Sequence, residues 1–106
     1  MIYRVTARFR TETADELRRQ LNNGSIAAQQ PDGQEIVASM HRAAITGTDT
    51  VQWSAMCFCD PPLAHERATI LDRYFNDIET TPIEDYERYA GEPFLERLEK
   101  LQENKR

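Results

Sequence analysis

Val51-Gln52-Trp53-Ser54-Ala55-Met56-Cys57-Phe58-Cys59-Asp60-Pro61-Pro62 is the stretch on which the fold turns. It holds the only tryptophan and both cysteines, and it stops at a double proline. The pattern predicts a strand over 51–59. Asp60 reads as the cap of a helix whose first positions are prolines, where no backbone donor is needed. Backward from Val51, residues 46–50 read as a five-residue hairpin loop and 35–45 as the strand paired with it. Symmetric pairing about that loop gives partners whose numbers sum to 96. Ile45 then faces Val51, Ala43 faces Trp53, His41 faces Ala55, Ser39 faces Cys57 and Val37 faces Cys59, all on one side of the sheet.

Residues 1–10 alternate, with Met1, Tyr3, Val5, Ala7 and Phe9 on one side and Ile2, Arg4, Thr6, Arg8 and Arg10 on the other. This is the mark of a half-buried strand. Thr13 and Glu16 form a capping box, and Ala14, Leu17 and Leu21 a helical stripe that Asn23-Gly24 ends. Residues 25–34 are expected to be the most mobile loop, with a Pro31-Asp32-Gly33 turn. After the double proline, Ile70/Leu71, Tyr74/Phe75 and Ile78 predict a helix running to 76–79, broken by Thr80-Thr81-Pro82. A last helix over 93–103 carries Phe94, Leu95, Leu98 and Leu101. A short strand is possible in the ambiguous stretch before it.

The order β-α-β-β-α plus a C-terminal helix predicts one α+β domain over 1–106. Its expected form is a ferredoxin-like split βαβ sheet with helices on one face. The third strand is expected to insert between the first two. Tyr3, Val5, Ala7 and Phe9, with Ile36, Ala38, Met40, Met56 and Phe58, are assigned to the helix-covered core. The open face is then expected to carry Arg4, Thr6, Arg8, Ser39, His41, Trp53, Ala55, Cys57 and Cys59. A one-residue slip in register would exchange the two faces.

An apolar patch beside polar groups is rarely left in water, so this face is expected to be buried in a homodimer. Arg4, Arg8 and Arg10 need compensation, which acids of the C-terminal third would supply across that interface. Net charge runs from +2 over residues 1–20 to −4 over 71–106, within a total of −5. Such an acidic chain lacks the field that attracts nucleic acid. Arg4, Arg8, His41, Trp53 and Cys57 are the candidate ligand-binding residues, as a floor for a small anionic compound.

Cys57 and Cys59, two apart in a strand, sit about 6.5–7 Å apart at Cα, at or beyond the limit for an unstrained disulfide. They read as buried strand cysteines. No metal site, cofactor or catalytic residue is expected. Cys-x-Cys with His41 is not a zinc spacing, and a Cys57–His41 couple lacks an orienting third group. His65-Glu66 reads as a solvated helix start, and Glu84, Asp85 and Glu87 as a charged surface segment. Glycine-rich phosphate loops are absent.

No run approaches the length of a membrane span, and the alternating N-terminus is not a signal peptide, so a cytoplasmic address is expected. The layout resembles that of dimeric α/β-barrel proteins, a likeness of fold that assigns no chemistry. The expected function is self-association and action through protein contacts, with a small enzyme or ligand-binding protein as the alternative.

Overall fold

A computed structural model of the chain describes residues 1–58 and 60–103. It is α+β, built on a five-stranded sheet in the order β4-β1-β3-β2-β5 in which neighbours run antiparallel. The strands are β1 (Ile2–Phe9), β2 (Ala44–Gly47), β3 (Thr50–Met56), β4 (Phe75–Ile83) and β5 (Glu92–Pro93). The helices are α1 (Ala14–Asn22), α2 (Gly33–Arg42), α3 (Ala64–Glu66), α4 (Asp72–Tyr74) and α5 (Phe94–Glu103), with a π-helical turn, Arg67–Leu71, joining α3 to α4. As expected, β3 lies between β1 and β2.

The first correction is α2. Residues 33–42 are a helix, not the start of the second strand. Ile36, Ala38 and Met40 fit a period of two, but Gly33, Ile36, Ser39 and Met40 are the buried set, and that spacing is helical. The predicted register holds at the start of β2, where Ala44 opposes Gln52 and Ile45 opposes Val51, and shifts by one at Gly47, which opposes Thr50. Gly33 enters the helix where a Cβ would collide with the carbonyls of Ile26 and Ala27. Residues 25–32 are turns anchored by Ile26, which is buried in the core.

The second correction concerns the faces of β3. Val5 opposes Trp53, Ala7 opposes Val51 and Tyr3 opposes Ala55, so Trp53 shares the core face of β1. Trp53 is 1% exposed, whereas Met56 and Phe58, assigned to the core from sequence, are exposed. Once α2 replaces the long second strand, pairing with β1 decides which side of β3 is buried. The core is aromatic at its centre. Phe9 meets Phe94 edge-on with ring centroids 5.0 Å apart, and Phe75 lies 5.1 Å from Trp53. Leu17, Met40 and Leu98, from α1, α2 and α5, close it.

The helix expected to reach 76–79 ends at Tyr74, and Phe75 begins β4. Ile78, Thr80 and Thr81 are β-branched, which favours a strand. Pro82 is tolerated because β4 is an edge. Asp60 caps no helix, since Ala64 opens the segment and Leu63 precedes it in the left-handed region (φ 63°). Thr13 stands at the N-cap of α1, but its hydroxyl donates back to the Arg10 carbonyl instead of capping the helix.

Candidate functional site

Chemistry gathers at the end of β3, where the strand outruns β2. Beyond Gln52, β3 has no β2 partner, and side chains from α2 take over its backbone groups. Arg42 donates from Nη2 to the Ser54 carbonyl (2.9 Å) and to Glu35 Oε2 (2.9 Å). Glu35 Oε2 also accepts from the Met56 N–H (2.9 Å) and the Tyr86 hydroxyl (3.4 Å). The Arg42 guanidinium lies 4.4 Å over the Tyr86 ring, a cation–π contact. One turn earlier, Asp32 Oδ2 is 2.6 Å from His65 Nδ1.

Asp32 and Glu35 wall a cleft of about 430 Å³ whose other lining residues are Pro31, Met56, Cys57 and Phe58. Cys57, 4% exposed, continues the odd-numbered core series of β3, and its N–H donates to the Met1 carbonyl. Behind it lies Glu66, 1% exposed. The Glu66 carboxyl shares a hydrogen bond with Cys57, and its Oε1 has no hydrogen-bond partner among the described residues. Burial, and next the charge of Asp32, push this acid up to about 7. Cys57 opposes that rise and Glu35 adds to it. The backbone on either side of Glu66 is also unusual. Leu63 is a buried left-handed leucine and the π turn begins at Arg67, features that recur at functional sites.

This overturns the reading of His65-Glu66 as a solvated helix start. The stripe Ile70–Tyr74, continued one turn back, lands on Glu66 and then on Leu63, and all four are buried. A carboxylate on an apolar stripe was the signal. Asp32 and Glu35 carried none, because the turn and α2 that join them were not read as one unit.

The predicted group Arg4, Arg8, His41, Trp53 and Cys57 is not brought together. Trp53 and Cys57 face the core and Arg4 and Arg8 the opposite side. His41 is exposed near the end of α2, six residues and about 9 Å of helix beyond Glu35. It lines a separate cavity of about 220 Å³ with Arg18, Leu21, Val37, Leu95 and Leu98. Cys59 lies outside the described residues.

The open face is crossed by residues 84–91, which run from β4 at one edge to β5 at the other. Arg4 does not need a second chain, because it forks onto Glu87 at 3.0 and 3.1 Å. Ser54 Oγ donates to the Glu87 carbonyl and accepts from the Glu87 N–H, both at 3.1 Å. The Tyr89 hydroxyl and then Arg4 hold the Glu87 carboxyl below its ordinary range. The segment read as a solvated acidic run is therefore a strap.

Among the described residues no group of three or more His, Cys, Asp or Glu is placed to hold a metal ion, and no helix is long and apolar enough to cross a membrane. No protein-family model matches the chain, and no curated protein or solved structure is significantly similar to it.

Proposed function

We propose that this chain is a small-molecule-binding α+β protein whose working site is the cleft over Cys57, with Glu66 as its proton-exchanging group. One observation carries the reading: a carboxyl 1% exposed, its Oε1 without a partner among the described residues, is hydrogen-bonded to the Cys57 that lines the cleft. Buried unpartnered polar atoms cost about 1–3 kcal/mol each, so a fold keeps one where function needs it. Acids that change protonation near neutral pH are those suited to general acid–base work. Cys57 is the donor that holds Glu66.

The test is to titrate small acids, neutral compounds and amines into labelled protein and follow backbone amide shifts. Responses are expected at Asp32, Glu35 and 56–58, and they should change across neutral pH. Responses confined to the His41 cavity, or independent of pH, would contradict the reading.

Self-association is the second reading, now moved from the open face to the cleft mouth. Phe58 is 86% exposed beside Met56 at 38%. A second copy covering them would bury the most exposed large hydrophobic side chain among the described residues. The four strands β4-β1-β3-β2, with helices packed on one face, support a ferredoxin-like frame to which β5 and α5 are added.

A further inference from the structure

Charge around the cleft is unbalanced. Asp32, Glu35 and Glu66 bring three carboxylates. Against them stand the Arg42 guanidinium and the His65 imidazole, with the Tyr86 hydroxyl on Glu35 and the Cys57 thiol on Glu66. Arg42 answers Glu35 and His65 lies on Asp32, so Glu66, once ionised, is the carboxylate of the group that no cation answers. A small anion on this surface would meet two carboxylates at the wall and a third behind it. An acidic cleft alone would not identify a ligand. The separate fact is Glu66, nearly fully buried with an oxygen that nothing in the described chain satisfies, its carboxyl turned toward the Cys57 that lines the cleft.

The other half of the wall is apolar. Pro31, Met56 and Phe58 form it, and Phe58 stands out into solvent. Ligand sites of this kind combine hydrocarbon contact with a few placed polar groups. An aromatic edge and a thioether beside carboxylates suit a cation that carries a hydrocarbon body. A bare metal ion would not use the apolar half, and the described carboxylates do not converge on one point.

Resting on the reading of the cleft given above, we propose that its ligand is a small organic amine, bound as the ammonium with its charge at Asp32 and Glu35 and its hydrocarbon body on Pro31, Met56 and Phe58. An added positive charge favours the ionised form of Glu66. Binding therefore releases a proton, which leaves the Glu66 carboxyl for bulk solvent while the ammonium enters with its own protons intact. The cleft thus takes up an amine and returns a proton without a change in covalent bonding.

Calorimetric titration near pH 6.5 tests this with benzylamine and butylamine, each against its neutral alcohol, in two buffers of different ionisation enthalpy. The amines should bind at least tenfold more tightly than the alcohols and release up to one proton. Glu66→Gln should keep amine binding and release none. Asp32→Asn should weaken both amines about tenfold. Phe58→Ala, at an exposed position that folding does not depend on, should weaken benzylamine severalfold more than butylamine. Equal binding of amines and alcohols would overturn the proposal, as would amines that fail to bind while Glu66 still titrates near neutrality. In that last case the acid–base reading of the cleft survives. A Glu66 that titrates in the ordinary carboxylate range removes both.

Discussion

Glu66 keeps its proton to a higher pH than an ordinary glutamate because the folded chain offers its charge no water and three disfavouring surroundings: burial, Asp32 and Glu35. The sign of the consequence is fixed. The acid is raised from 4.5 to about 7, so between those values the folded state holds a proton that the unfolded state has released. Stability therefore falls as pH rises through that window and levels off above it. The drop is about 3 kcal/mol for a shift of this size. Urea unfolding at pH 4.5, 6 and 8 should show it, and Glu66→Gln should flatten the profile and exceed the natural chain in stability at pH 8. The residue was half legible in the sequence. Its place on the Leu63–Ile70–Tyr74 stripe could be read, but what stood beside it could not, because Asp32, Glu35 and Cys57 arrive from other elements.

At the scale of elements the strap and α2 matter most. Ser54 is fully buried and holds Glu87 by two hydrogen bonds, so Ser54→Ala should cost about 1–3 kcal/mol and speed amide exchange across 84–91. Arg4→Ala removes a pair that water screens, and should change stability far less than Ser54→Ala does. Gly91 anchors the far end of the strap. Its φ of 154° and its approach to the Ile45 carbonyl leave no room for a Cβ, and Gly91→Ala should cost about 2–3 kcal/mol, measured by thermal unfolding. The strap was hidden because Glu84, Asp85 and Glu87 carry the composition of a solvated run, and only a long-range partner such as Arg4 distinguishes them. α2 was hidden because Ile36 and Met40 fit both periods, and only Gly33 and Ser39 on the same buried side decide for the helix.

At the scale of the whole molecule, the α+β class, β1, α1 and α5 were legible, because each rests on a local period, whereas the hairpin turns at Thr48-Asp49 and its expected five-residue loop is mostly strand. The facing of β3 was not legible, since it depends on pairing with β1, about fifty residues distant. Trp53 follows from that pairing as the centre of the core, and Trp53→Ala should cost about 3–5 kcal/mol in denaturant unfolding. Self-association through Phe58 predicts that sedimentation at micromolar concentration shows a dimer which Phe58→Ser converts to monomer. Whether the molecule does chemistry turns on the acid behind Cys57. The most direct measurement is a carboxyl carbon NMR titration of glutamate-labelled protein, with Glu66 assigned by its Gln variant. A midpoint near 7 is the predicted result, and a midpoint near 4.5 would contradict the site.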